Sequence, residues 1–446
     1  MCPGQGQPCA ARVPQGVEVR AVGHEKRVSA AAVGNDVFLE FTCQHGLRRP
    51  YLDIHPQMKE NTGGGTGTGL SAYYFVSKEI FFTPPGDHKM RNLSNMAGCT
   101  TVLIGLSLAT LTATSWAEQP GKSPVKAFVL VGQSNMQGKA SLVTLAHQIK
   151  AERTKRQFAH LHDGKGNYLL RDDVFINFLE RHGKLEVGYG SKDRFGPELG
   201  FGWTVGDALD EPVLIIKAAY GGRSLFRDFR SPSAGLPDET RLKEELDGAK
   251  KRNPETTMDD VKSKYGFAYR DVLAEVNGVR ENYQTLFPEL KGKELQLTGF
   301  VWFQGWNDMI NGEFSAAYTE NMVHFIKDVR KDLDAPNLPF VIGQLGVGGP
   351  YEGDDPATDK KEVFKANQAA AADRPEFKGN VAVVRTDQYW DPVAAEAYKV
   401  WRQDVEAWRH HGNDFAYHYL GSPKIIYEIG EAFGKQMLQI LGKSVE

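Results

Sequence analysis

The stretch Ala127-Phe128-Val129-Leu130-Val131-Gly132-Gln133-Ser134-Asn135-Met136-Gln137-Gly138 decides the fold. A short, wholly apolar run that ends in glycine and a polar turn has the pattern of a parallel strand buried on both faces. Four more such runs follow, at Val213–Ala218, Leu297–Phe303, Pro339–Leu345 and Val381–Arg385. Helical periodicity lies between them. Tyr269, Val272, Leu273, Val276 and Val279 share one helix face. Tyr318, Met322, Phe325, Ile326 and Val329 share another, predicting an amphipathic helix over 315–333. A last helix is expected over about Ile425–Leu441. Strands alternating with helices predict an α/β fold: a three-layer α/β/α sandwich on a five-stranded parallel sheet. The charged stretch 226–262, with three prolines and no strand pattern, reads as a solvated surface insertion with one helix, a lid over the site being the lesser reading.

Outward from this core, the chain of 446 residues is ordinary in charge, with a net charge of −3 and 24% charged residues. That balance excludes a polybasic nucleic-acid binder and a disordered acidic chain. A mean hydropathy of −0.42 excludes a polytopic membrane protein. Glycine is in excess, with 47 residues, so tight turns are expected. All four cysteines, Cys2, Cys9, Cys43 and Cys99, precede residue 100. The regular part of the chain therefore cannot rely on disulfides, thiolate catalysis or a cysteine-ligated metal. Lys89 and Arg91, the apolar run Val102–Ala113 and the ending Ser115-Trp116-Ala117 have the layout of a secretory signal peptide over 90–117, cut after Ala117. Residues 1–89 then read as an over-extended start or a disordered extension, and 118–446 as the mature domain. Its expected location is secreted or periplasmic, with no membrane span.

Ligands of such sheets bind beyond the carboxyl ends of the strands. The first strand leads into Gly132-Gln133-Ser134, where a serine at a strand-to-helix turn has an exposed Oγ and backbone N–H groups nearby. The spacing is not that of a Gly-x-Ser-x-Gly elbow, a P-loop or a dinucleotide fingerprint. Alone, it reads better as a glycine-rich turn with an incidental serine. The second strand leads into Tyr220-Gly221-Gly222-Arg223, the third into Gln304-Gly305-Trp306-Asn307-Asp308. Two glycines allow close backbone approach to a ligand, and a neutral amide suits an oxyanion, with tryptophan beside it to shape a sugar site. A hydrolytic serine needs a base. Of eight histidines beyond Ser134, His160 and His162 lie in a polar loop, His324 in a helix, and His410 and His411 in a polar segment. His418, in Asn413-Asp414-Phe415-Ala416-Tyr417-His418, sits just ahead of the last helix.

Gly-Gln-Ser-Asn-Met, a Gly-Gly turn, Trp-Phe-Gln-Gly and a late histidine, in that order, resemble the SGNH hydrolase superfamily. The nearest branch is the sialate O-acetylesterase-like group with carbohydrate esterase family 6. Phe195-Gly196-Pro197-Glu198-Leu199 adds to the likeness, which runs over most of 125–440. The resemblance implies that Ser134 attacks an acyl carbonyl. The N–H groups of Ser134 and Gly222 and the Gln304 side chain would hold the oxyanion, and His418 would carry the proton. Gln133, Asn135 and Trp306 would contact substrate. The acid stays open: Asp414, Asp308, or a Ser–His pair with a backbone carbonyl. The superfamily places its aspartate three residues before the histidine, where this chain has Phe415. Neither a cofactor nor a metal is implied. The substrate expected is an acetylated carbohydrate. Two other readings share the sheet. One is a glycan-binding module without catalysis, with Trp302, Trp306 and Tyr220 as its aromatic platform; the other is a flavodoxin-like nucleotide binder.

Overall fold

The computed structural model describes residues 9–14, 28–33, 36–41 and 123–443. By internal contacts the chain divides into two units, 1–111 and 112–446. In the first, strands β1 (Cys9–Pro14), β2 (Val28–Val33) and β3 (Asp36–Phe41) pair antiparallel, with β3 in the middle. The proposed signal peptide at 90–117 lies outside the described residues.

The second unit carries the remaining strands. They are β4 (Val125–Gly132), β5 (Ala140–Ser141), β6 (Val174–Phe178), β7 (Arg181–Lys184), β8 (Arg194–Phe195), β9 (Val213–Ala219), β10 (Leu295–Phe303), β11 (Phe340–Gln344) and β12 (Val381–Arg385). Strands β5 and β8 pair with each other. The rest form one sheet in the order β12-β11-β10-β4-β9-β6-β7. All its pairings are parallel except β6 with β7.

The sheet thus has seven strands where five were expected. The five apolar runs are β4, β9, β10, β11 and β12. The two additions extend one edge, and the sequence hides them for a physical reason. β6 is five residues long and broken by Asn177, whose buried amide donates to Glu275 Oε1 at 2.6 Å. β7 is Arg-His-Gly-Lys, the charged edge that discourages further strand pairing.

Helices cover both faces, and β10 shows why. Side chains alternate along a strand. Phe300 and Trp302 meet Phe325 of the helix Tyr318–Asp332, at 6.0 and 4.5 Å between ring centroids. Phe303, on the opposite face, meets Phe433 of the helix Pro423–Ile440 at 5.3 Å. The expected helix over 315–333 is interrupted at Ala317, between helices Gly312–Ala316 and Tyr318–Asp332. The Tyr269 face belongs to a helix over Phe267–Leu286. Among the described residues no helix is long and apolar enough to cross a membrane.

The charged insertion holds two helices, Glu239–Lys250 and Met258–Ser263, rather than one. It closes on its own small core of Phe226, Leu242, Val261 and Tyr265. Phe226 stacks on Phe314 at 4.2 Å, and Arg241 pairs with Glu313 at 2.9 Å, so the insertion is fastened beside the end of β10.

The two central strands, β4 and β10, approach very closely at their carboxyl ends. A Cβ at Gly132 would lie 2.1 Å from the carbonyl oxygen of Phe303, so only glycine fits there. On one side of β4 the chain turns to β9, on the other to β10. The segments that follow these three strands open at this point, the usual ligand position of a doubly wound sheet.

Candidate active site

Beyond Gly132, Gln133 precedes a single helical turn, Ser134–Gln137. Ser134 is therefore the first helical residue, and its backbone N–H has no partner within the turn. The hydroxyl Oγ–H donates to His418 Nε2 at 3.0 Å, and His418 Nδ1–H donates to Asp414 Oδ1 at 2.9 Å. Asp414 Oδ1 also accepts from the Phe415 N–H at 2.8 Å, and Arg194 holds Oδ2 at 3.0 Å. Burial alone would raise the Asp414 carboxyl. The His418 hydrogen bond, the Phe415 N–H and the Arg194 charge outweigh it and hold the group below its ordinary value.

Asp414 lies four positions before His418, and the backbone of this segment is not helical throughout. Leu420 O accepts from the N–H groups of Asn413 and Asp414, and Phe415 O accepts from those of His418 and Leu420. Tyr419, Leu420 and Gly421 then take the left-handed conformation in succession, at φ of 50°, 63° and 60°. For Tyr and Leu this costs about 1–2 kcal/mol each. The buried Tyr419 holds the bend in place: its hydroxyl accepts from Gly346 N–H at 2.8 Å and pairs with Thr386 Oγ1 at 2.6 Å. At Gly421 a Cβ would come within 2.8 Å of the Asp414 Cβ.

The expected substrate residues Gln133 and Asn135 are each 3% exposed and act as struts. Gln133 Oε1 accepts from Gly305 N–H at 3.1 Å, and its Nε2 donates to Asn307 Oδ1 at 3.1 Å. Asn135 Nδ2 donates to the Tyr417 carbonyl at 3.1 Å, tying the serine turn to the histidine loop. Trp306 is half-buried, with its ring 5.4 Å from that of Tyr417. Trp302 is fully buried and donates its Nε1–H to Tyr318, so it cannot serve as a sugar platform.

Gln304 was expected to present its amide to an oxyanion. Both amide protons are committed instead, to Arg223 O at 3.0 Å and Asp308 Oδ2 at 2.6 Å, while Tyr318 donates to Oε1. Asp308 lies away from His418. Its oxygens accept from the N–H groups of Leu225 and Phe226, both at 2.9 Å. Full burial pushes this carboxyl up to about 7 despite these three donors. Gln304 and Asp308 together brace the loop that follows β9. In that loop Gly222 has φ of 69°, and its carbonyl accepts from Asn307 Nδ2 at 3.1 Å. Asn307, which the sequence reading passed over, keeps one amide proton uncommitted. The signal was its place three residues beyond Gln304 in the same turn.

A second group escaped the sequence reading. Lys217 of β9 and Glu198 are both fully buried and paired at 2.6 Å. The Lys217 ammonium also donates to Gln137 O at 3.0 Å and Tyr189 O at 2.7 Å. Glu198 Oε1 accepts from Gly196 N–H at 2.7 Å. A lysine inside an apolar strand run was the visible sign. Burial pulls Lys217 down to about 8.

Of the other histidines, His160 pairs with the Tyr427 hydroxyl and His324 with Ser233 Oγ. His147, Glu406 and His410 bring ligand-type atoms within 4.8 Å of one another; none of the three belongs to the Ser134–His418–Asp414 chain.

A probable carbohydrate esterase of Arabidopsis thaliana is 32% identical over 56 residues, 13% of this chain. The match spans 22% of that relative's length. A solved Arabidopsis thaliana structure aligns with a TM-score of 0.40 at 14% identity, over 71% of this chain and 99% of the other. A carbohydrate acetylesterase from Xanthomonas citri aligns with a TM-score of 0.36 at 14% identity, over 58% and 49%. NanS aligns with a TM-score of 0.32 at 15% identity, over 59% and 78%. A family model matches residues 124–392, a span that includes Ser134, Gly222 and Asn307 and ends before Asp414 and His418. The chain belongs to that family, the carbohydrate esterases described as sialic acid-specific acetylesterases.

Proposed function

We propose that this protein is a secreted carbohydrate O-acetylesterase that works through a serine acyl-enzyme. The observation that carries the reading is the unbroken hydrogen-bonded chain from Ser134 through His418 to Asp414. His418 takes the Ser134 proton as Oγ attacks the acetyl carbonyl carbon, and Asp414 steadies the imidazolium that forms. The carbonyl oxygen, now an oxyanion, is received by the N–H groups of Ser134 and Gly222 and by the uncommitted amide proton of Asn307. Gln304 acts one step back, through Arg223 O and Asp308. The tetrahedral intermediate collapses, and His418 returns the proton to the departing sugar hydroxyl. Water, deprotonated by the same imidazole, then releases acetate and restores Ser134.

The test is acetate release from an acetylated oligosaccharide and from 4-nitrophenyl acetate, wild type against Ser134→Ala. Loss of at least about 10³-fold is expected in the variant; equal rates would overturn the proposal. Export through the segment 90–117 is checked separately, by the amino-terminal residue of the exported protein, expected to be Glu118. The glycan-binding alternative drew on the want of an acid beside the histidine, and Asp414 at 2.9 Å leaves it less support.

A further inference from the structure

Outside the serine site, one cluster among the described residues has the donor set of a metal ion. His147, Glu406 and His410 each bring a ligand-type atom to within 4.8 Å of the others. His147 comes from the helix Leu142–Gln148, which follows the serine turn. Glu406 and His410 come from the helix Val405–Arg409 and the residue after it. His410 keeps right-handed helical backbone there, at φ −72° and ψ −20°. Glu406 and His410, four positions apart, therefore share one face. The His147 ring stacks on that of His410, at 4.1 Å between centroids and with planes 29° apart.

The donor set selects the ion. Two imidazole nitrogens and a single carboxylate suit a borderline transition metal such as Zn²⁺, whereas Mg²⁺ and Ca²⁺ ask for oxygen ligands throughout. Three protein ligands leave the fourth tetrahedral position to water. With metal–ligand bonds of about 2.0–2.2 Å, neighbouring ligand atoms of such a site stand about 3.3–3.5 Å apart. Each pair here has at most about 1.5 Å to close. Glu406 and His410 are exposed, so their side chains have room to swing that far. Arg409 competes for the carboxylate, pairing with Glu406 Oε2 at 3.1 Å. Both partners of that pair lie in solvent, where it is weak and yields to a doubly charged cation.

The backbone on either side of the cluster is already joined. Asn413 Nδ2 donates to Ser141 Oγ at 3.2 Å, and Gln148 Nε2 donates to His411 O at 3.5 Å. Gln148 Oε1 accepts from the Lys424 N–H at 3.0 Å. These bonds seat the segment that carries Asp414 and His418 against the helix Leu142–Gln148, and the three ligands stand at the exposed edge of that contact. We propose that His147, Glu406 and His410 bind a Zn²⁺-type ion as a clasp between the helix that follows the serine turn and the segment that leads to Asp414 and His418. The ion takes no step in hydrolysis, and its binding is independent of the esterase reading.

Three measurements on the full chain, first freed of metal with a chelator, test the clasp. Zn²⁺ alone is titrated calorimetrically into the parent, His147→Ala and His410→Ala. The parent is expected to bind an equivalent whose affinity falls at least about 100-fold in either variant. Melting temperature is then followed against Zn²⁺ concentration. It is expected to rise in the parent, stay flat in both variants, and stay flat in the parent when Mg²⁺ replaces Zn²⁺. Finally, Co²⁺ is added to the parent, a measurement that needs no variant. It is expected to show the visible bands of a four-coordinate ion without thiolate charge-transfer bands, which separates this site from the cysteines before residue 100. Absent binding, equal binding by parent and variants, equal uptake of Mg²⁺, or thiolate bands on the equivalent would each overturn the site. Binding through the two histidines with no rise in melting temperature would overturn the clasp.

Discussion

Gln304 and Asn307 are both neutral amides at the end of β10, and what separates their roles is which protons remain available. Gln304 has both engaged inside the protein, whereas Asn307 has one engaged at Gly222 O. Asn307→Ala is therefore expected to lower kcat by roughly 10²–10³, and to cost about 1–3 kcal/mol of stability because Gln133 Nε2 and Gly222 O lose their partner. Gln304→Ala leaves Arg223 O without that donor and takes from the buried Asp308 one of its three. It is expected to cost about 1–3 kcal/mol of stability, read in denaturant unfolding. Asp414→Asn removes the carboxylate that favours the productive imidazole tautomer and is expected to lower kcat on the order of 10³–10⁴. The serine and the histidine were legible from their places after a strand and before a helix. The acid was not. It stands four positions before the histidine rather than three, in a loop that Leu420 O closes onto the Asn413 and Asp414 N–H groups through left-handed backbone at Tyr419 and Leu420, and nothing in the side chain of a tyrosine or a leucine announces that. Asn307 was hidden by proximity, since the amide at the strand end drew the reading and its neighbour carries the uncommitted proton.

At the scale of elements, the serine turn rests on β9. The Lys217 ammonium has three N–H groups and three acceptors: Glu198 Oε2, Gln137 O and Tyr189 O. Its pKa is depressed by burial to about 8, so the charged form holds below that pH and is lost above it. A neutral amine has only two N–H groups for the three acceptors, and the carbonyl of Gln137 loses part of its hold. The pH profile of kcat is accordingly expected to fall on its alkaline side through about pH 8. The double change Glu198→Gln with Lys217→Met removes both charges together and avoids an orphaned ion. It is expected to abolish that alkaline limb and to lower the plateau by roughly 10- to 100-fold, the effect of a misplaced nucleophile. A merely structural pair would leave the limb where it is. The five apolar strands were readable because burial on both faces leaves unbroken Val, Ile, Leu and Phe runs. Strands β6 and β7 were not, since an edge needs polar residues where a central strand needs none. The lysine in β9 was printed in plain view, but its partner lies 19 residues back in another element.

For the whole molecule, the seven-stranded sheet, its main core and the site lie within 125–440. A protein consisting of residues 118–446 is expected to keep the acetylesterase activity and the melting temperature of the full chain, measured side by side. Loss of either would assign the first 117 residues a part in the fold. The layer architecture followed from the alternation of strand and helix periods. The packing of the charged insertion against Phe314 and Glu313 did not, because a run of lysines, arginines and glutamates looks the same whether it floats or docks.

The bond between Ser134 and His418 joins residues 284 positions apart, and the helix Pro423–Ile440 that follows the histidine packs against Phe303 on the central strand. The proposed serine–histidine pair is thus completed late as the chain is made. A nascent polypeptide not yet extended to His418 has a nucleophile with no base. On the proposed mechanism, a single clip between the end of β12 and Asn413 abolishes hydrolysis if the tail departs, even with Ser134 and its turn intact.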